Sequence, residues 1–448
     1  MVKLEEHPTV KRLIEKGAAP SGREPAASLD AEALRRLCLE MGADDVGFVE
    51  AGRPEIQADR ESLRRYAPWT KTLISFVLRM NRAPIQSPAR SVANLEFHHA
   101  GDRVNEVARR IVTALEKRGV RAMNPSMGFP MEMDEFSRGR IWVVSHKLAA
   151  VAAGLGRMGI HRNVIHPKFG NFILLGTVLV EAEVTAHDRP VDYNPCLECK
   201  LCVAACPVGA IAPDGNFDFS ACYTHNYREF TGGFTDWVEN IADSRNARDY
   251  RRKVTDAESS SMWQSLSFGA NYKAAYCMAV CPAGEDVISP YLADKGAYLS
   301  DVVKPLQNKE ETIYVVPDSD AEAHVSRRFP HKKVKRVGNG LRPRSIRRFL
   351  GALPLVFQRG RSEGLNATYH FTFTGEEEAE ATVAIREGRI EVNEGRLGEA
   401  DLHVRADSAT WLGFLAKERS LPWALLRRKI RLKGSPRLLI AFGRCFPS

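Results

Sequence analysis

The sequence predicts an α/β domain, then a cysteine-rich segment, then a C-terminal α+β domain. Three observations carry this. Helical and strand-like runs alternate from Leu29 to about Val184, the pattern of an α/β unit. Seven of the nine cysteines lie between Cys196 and Cys281, in a stretch rich in Gly, Pro and aromatics with little periodicity. Short, strictly alternating strands and one helix follow from Ala367.

The elements read as follows. Residues 1–28 are polar with Gly, Pro and Ala and form an arm. Residues 29–190 make the first domain. "LDAEALRRLCLEMG" is a helix with Asp30 as N-cap and Gly42 as stop. "TLISFVLRM" is a buried strand. "RVNEVARRIVTALEKRGV" places Val104, Val107, Ile111 and Leu115 on one helical face and stops at Gly119. "NFILLGTVLVEAEV" is a long strand or a strand pair. Residues 191–300 hold the cysteines and need a bound metal to hold them together. Residues 301–344 read as a basic linker: Arg327 to Arg348 holds ten Lys and Arg and no acid, which leaves the rest of a +9 chain near −1. Residues 345–448 form the last domain. There "ATYHFTFTG" sets Tyr369, Phe371 and Phe373 on one face, and "ATVAIREGRIEVNEG" is a hairpin turning at Glu387-Gly388. "DLHVRA" adds a strand, and "SATWLGFLAKE" is a helix capped at Asp407 or Ser408 with Trp411, Phe414 and Leu415 on one face.

No apolar run reaches the length of a membrane span, and "MVKLEEHPTVKRLIEKG" has no apolar signal core. A cytoplasmic protein is expected. The basic band is either a solvated linker or a surface for nucleic acid or an anionic membrane.

Clustered thiols in a reducing compartment read as metal ligands. Cys196, Cys199, Cys202 and Cys206-Pro207 form C-x2-C-x2-C-x3-C-P. That run wraps a cubane iron–sulfur cluster, its last cysteine serving a second cluster. Zinc also uses C-x2-C, but usually as two separated pairs. By the crossing rule Cys196, Cys199, Cys202 and Cys281 hold cluster one, and Cys206, Cys222 and Cys277 hold cluster two. Two cubanes held by Cys alone need about eight thiolates, and this region supplies seven. Cluster two therefore has a non-Cys ligand, an open iron or only three irons. His225 is one candidate substitute.

"VAAGLGRMGIHRNVIHPKFGNFILLGTVL" followed by the cysteine run resembles epoxyqueuosine reductase and the reductive dehalogenases, over roughly Leu29 to Pro290. The resemblance implies a nitroreductase-like α/β domain holding base-off cobalamin, fed single electrons by two clusters. An external donor of ferredoxin or flavodoxin type is then a partner, and tRNA a further one. Three departures stand against that family. Ala274 replaces a cysteine of its C-x2-C-x3-C-P pattern. An ungapped match puts its catalytic aspartate at Arg140, with Glu132, Asp134 and Glu135 near. Tyr66 is the one tyrosine before Tyr193, against the dehalogenases' tyrosine donor.

In "AGLGRMGIHRN", Gly154, Gly156 and Gly159 permit close backbone approach, to a cofactor or to a packed helix. With Asn163 they are the expected cofactor-binding residues; His161 and Arg162 are the expected active-site pair. Residues from about Ser345 to Phe446 resemble the sterol-carrier-protein domain, through "YHFTFTGEEEAEATVAIREGRIEVNEG" and "KIRLKGSPRLLIAFGRCF". That implies a five-stranded sheet enclosing an apolar tunnel and an apolar or acyl ligand; the basic band and the strip "RRKIRLK" from Arg427 to Lys433 point to an anionic membrane surface. The expected function is an iron–sulfur reductase. Its rivals are an electron-transfer protein of ferredoxin type and a lipid- or membrane-binding module with structural clusters.

Overall fold

A computed structural model describes residues 3–16, 28–133, 142–340, 343–416 and 418–447. Asp134, Glu135 and Arg140 lie outside the described residues.

The first domain is built on a four-stranded sheet. Its strands are β1 (Asp45–Glu50), β2 (Thr72–Arg79), β3 (Ala122–Met123) and β6 (Ile173–Val180), in the order β1-β2-β6-β3. Every pairing is antiparallel, so the alternating helices make an α+β rather than a parallel layer. β2 and β6 are apolar on both faces because both faces are covered. Ile74, Phe76, Leu78 and Val178 meet Val104, Val107, Ile111 and Leu115 of the helix Arg90–Glu116. Leu73, Val77 and Leu179 meet Ala149, Ala150 and Ala152 of the helix His146–Ala152. Side chains alternate across a strand, so two strands with seven buried positions each serve two cores. The small hairpin β4 (Arg157–Met158) and β5 (Val164–Ile165) stands beside the sheet.

Two expectations change. The cysteine segment is mostly helical, including Phe219–Asn226, Gly232–Ala242 and Asp256–Phe268, the last opened by a capping box of Thr255 and Glu258. Residues 301–344 are not a linker. β7 (Thr312–Val315) and β8 (Lys333–Arg336) pair in parallel around the helix Asp320–Arg328. Ile313, Val315, Val325 and Phe329 join the core of the cysteine segment. Three of the band's cations are paired: Lys332 Nζ donates to Leu306 and Lys309 carbonyls and pairs with Glu311, Lys335 pairs with Glu258, and Arg336 with Glu322. Sequence counting saw the cations of this band and not their partners elsewhere in the chain.

The last domain has strands β9 (Ala367–Thr374), β10 (Ala379–Arg386), β11 (Arg389–Glu394), β12 (Leu402–Asp407) and β13 (Ile430–Gly434), in the order β11-β10-β9-β12-β13. The hairpin turns at Glu387 and Gly388, both at positive φ, as expected. Asp407 caps the helix Ser408–Leu415. Tyr369, Phe371 and Phe373 are buried beside Trp411, Phe349 and Phe442. Phe371 lies 5.7 Å from the Trp411 ring and 5.4 Å from Phe442, and Phe349 lies 5.5 Å from Trp411. These rings fill the interior where a tunnel was expected. No described helix is long and apolar enough to cross a membrane.

Candidate metal centres and an adjoining recess

The cysteine loop bends around a small space. Glu198 and Lys200 both adopt positive φ, and Lys200 opens the helix Leu201–Ala205. A small cleft is lined by Cys196, Cys199, Cys202 and Cys281, with Ile160 and His161 as neighbours. Those four cysteines are the set the crossing rule assigned to cluster one.

Mutual electrostatics groups Cys281 with the first set and links Cys206, Cys222 and Cys277, with Cys202 touching both. Cys281 feels Cys199, Cys202 and Cys196. Cys222 feels Cys277 and Cys206, and Cys277 feels Cys206. Cys202 feels Cys277 most, so the two groups adjoin. Burial pushes the thiols of Cys202 and Cys277 up to about 12, and those of Cys206, Cys222 and Cys281 upward as well. Iron must therefore displace protons to bind, and assembly releases acid. The Ala210 N–H already points at Cys206 Sγ, 3.3 Å away. Among the described residues no three His, Cys, Asp or Glu converge tightly enough for one metal ion.

His225 is held elsewhere. Its Nδ1 accepts from the Tyr314 N–H of β7 at 3.3 Å, and its ring faces Tyr314. Burial lowers its pKa to about 4.

Next to the second thiol group lies a recess. Lys147, Cys222, Tyr227, Tyr272 and Cys277 sit deep among protein atoms, and burial shifts the pKa of each. Yet Lys147 is exposed and the other four are only half-buried. These exposed and half-buried groups form one partly open face. The Lys147 charge acts on Cys277 and Cys222, while its Nζ donates to the Arg162 carbonyl at 2.7 Å and Asn163 Oδ1 at 3.1 Å. Aromatic rings continue the face: Tyr227 stands 4.8 Å from Phe230 and 5.7 Å from Tyr272, and Phe230 6.0 Å from Phe129.

The expected site residues are divided. His161 is buried against the first cavity. Its Nδ1 accepts from the Asn163 N–H, and its Nε2 is 3.4 Å from Asn171 Nδ2, which also reaches the Cys277 carbonyl. Burial, then the Lys147 charge, brings its pKa down to about 4. Arg162 is exposed at a positive-φ turn, so the pair does not act on one atom. Asn163 is an acceptor for Lys147. The three glycines let the chain approach itself. A Cβ on Gly154 would meet the Arg189 carbonyl oxygen at 2.4 Å, on Gly156 the Ile165 oxygen at 2.2 Å, and on Gly159 the Ile165 side chain at 2.7 Å.

Lys147 and Tyr227 were not foreseen. Lys147 stands in an Ala-rich helix that reads as apolar, and Tyr227 lies five residues past Cys222 with no motif of its own. Only the turn of the chain around the thiols joins them.

Residues 189–212 match the 4Fe-4S binding domain, and residues 356–446 match the SCP-2 sterol transfer family. The chain resembles epoxyqueuosine reductases. It is 33% identical to that of Cellulophaga algicola over 103 residues, 21% of this chain and 33% of the relative. It is 26% identical to that of Gloeobacter violaceus over 201 residues, 45% of this chain and 59% of the relative. The chain thus spans less than two thirds of either relative. Among solved structures, the epoxyqueuosine reductase of Streptococcus thermophilus aligns with a TM-score of 0.36 at 16% identity, over 61% of this chain and 75% of that one. A catabolic reductive dehalogenase aligns with a TM-score of 0.37 at 16% identity, over 66% of this chain and 35% of that one.

Proposed function

We propose that the chain is an iron–sulfur reductase in which two clusters deliver electrons to cobalamin held in the recess. One observation supports this above the rest: the cavity lined by Cys196, Cys199, Cys202 and Cys281 adjoins a second thiol group that opens on an accessible wall. The corrin would supply a cobalt that cycles between low oxidation states. The residues that would hold it are Lys147, able to donate to a corrin amide, and the rings of Tyr227, Phe230 and Tyr272, which suit a flat macrocycle. His161, uncharged and packed between the two thiol groups, keeps water from the path between them. Arg140 at the family's aspartate position leaves the substrate proton to another group, so the substrate of the epoxyqueuosine reductases does not transfer with the likeness.

The test is anaerobic purification followed by iron analysis and visible spectra with hydroxocobalamin. About seven to eight irons per chain and a base-off corrin spectrum are expected. Iron with no corrin binding would leave an electron-transfer protein serving a ferredoxin- or flavodoxin-type partner.

We further infer that the C-terminal domain docks on an anionic membrane through its last two helices. From Arg419 to the end there are eight Lys and Arg and no acid. Trp423 (43%), Leu426 (82%) and Ile440 (66%) are exposed among them. Each cation near an anionic bilayer contributes on the order of 1 kcal/mol. One solved epoxyqueuosine reductase holds a tRNA stem loop; RNA phosphates would use the same cations but not the exposed apolar side chains. Since rings fill the domain's core, an acyl ligand would lie in the open cleft lined by Phe217, Phe219, Leu355, Phe357 and Ile390.

A further inference from the structure

The cysteine segment contains the same turn twice. Lys200 (φ 62°) and Ala275 (φ 58°) are non-glycine residues in the left-handed region. Each opens a short helix, Leu201–Ala205 and Tyr276–Ala279. The two helices pack against each other. Each is followed by Cys-Pro, at Cys206-Pro207 and Cys281-Pro282. Laid on one another, the two turns match Cys202 with Cys277, Cys206 with Cys281, and Cys199 with Ala274. Where the first turn offers a thiol just before the left-handed residue, the second offers a methyl group.

Nothing described replaces that thiol. Ala274 is 6% exposed, and its N–H donates to Asn226 Oδ1 at 2.9 Å. Cys38 is packed in the first domain's core and Cys445 in the last domain's. His225 is tied to β7. The non-thiol groups whose charges act on Cys222 and Cys277 include the Lys147 ammonium and the Tyr227 phenol, both at the partly open face, together with Asp218 and Arg90.

We propose that the second cluster is held by Cys206, Cys222 and Cys277 alone, and that, while no corrin occupies the recess, its fourth position takes an exogenous anionic sulfur or oxygen donor beside Lys147 and Tyr227. This rests on the two-cluster reading. A cation and a phenolic donor at the same opening favour a thiolate or carboxylate over a neutral amine. The second cluster is then a ligand-binding centre as well as an electron carrier.

The experiment compares anaerobic full-length protein with its Ala274→Cys variant. Both are reduced with dithionite and examined by electron paramagnetic resonance, with and without 2-mercaptoethanol as the thiolate probe. In the unchanged protein one of two cluster signals should shift with the probe and the other should not. In Ala274→Cys neither should shift, and mild oxidation should no longer convert a cluster to a three-iron signal. Lys147→Ala should weaken the probe's hold several-fold while leaving the iron content unchanged. About eight irons with no signal moved by the probe would overturn the proposal. So would a shift that persists in Ala274→Cys. Should that variant fail to fold, the titration of the unchanged protein and Lys147→Ala still decides. Protein with no iron would instead bring down the two-cluster reading and this proposal with it.

Discussion

His161 and His225 are buried, and burial holds both pKa values near 4. An unfolded histidine titrates near about 6.5. Between those values the unfolded chain binds more protons than the folded one, so stability rises with pH there. It is fully present above about 6.5 and is lost as pH falls toward 4. Each histidine contributes up to about 3 kcal/mol to that loss. Urea midpoints measured from pH 7 to pH 4.5 should fall, and His225→Gln should flatten the fall; an unchanged slope would mean the ring is charged in the fold. The thiols make a second prediction. Cys202 belongs to the first cavity and Cys222 to the second group. Cys202→Ser should remove about half the iron and leave the probe-sensitive signal in place, whereas Cys222→Ser should remove that signal first. Iron analysis and resonance spectra on the two variants check this.

Local elements behave as their backbone demands. Gly156 has φ 150° and faces the Ile165 carbonyl at 2.2 Å from an added Cβ. Gly156→Val should therefore part β4 from β5 and lower the melting temperature whether or not a corrin is present. Loss of corrin binding with unchanged melting would restore a cofactor role for this glycine. The hairpin between β10 and β11 is a gentler case. Glu387 sits at φ 50°, in a turn that favours Asn or Gly. Glu387→Asn should raise stability by up to about 1 kcal/mol, read as a higher denaturant midpoint. The 3.6- and 2-residue periods were legible in these elements. The helices Gly232–Ala242 and Asp256–Phe268 were not, because their buried residues are few and their exposed faces carry apolar groups such as Val238, Ile241, Trp263 and Leu266.

The C-terminal domain is joined to the cysteine segment by a polar seam. Gln358 Nε2 donates to Asp218 Oδ2, its Oε1 accepts from the Asp320 N–H, and the Gly360 N–H donates to Asp320 Oδ2. Arg359 pairs with Asp214 at the rim. Asp218 also caps the helix that carries Cys222. Gln358→Ala should loosen the domain and speed proteolysis between residues 340 and 360, without altering the iron content. On vesicles, full-length protein should sediment with phosphatidylserine-containing bilayers at low salt and release as salt rises. Leu426→Asp should reduce that binding with every cation intact. Binding indifferent to this change would favour a nucleic-acid surface instead.

The C-x2-C-x2-C-x3-C-P run, the count of seven clustered thiols and the hairpin turn were all open to reading along the chain. Each depends on spacing within a few residues or on a strict local period. What the folded chain alone decided are matters of distance between remote residues. The basic band became a strand–helix–strand unit because Glu258, Glu311 and Glu322 come to meet its lysines and arginines. The glycines of "AGLGRMG" meet the remote Arg189 and the neighbouring hairpin strand at Ile165, contacts that no local period announces. Lys147 and Tyr227, eighty residues apart, share one wall with Cys222 and Cys277. A one-dimensional period carries no information about which distant groups share a dielectric environment, and such sharing sets both the chemistry of a thiol and the partner of a charge.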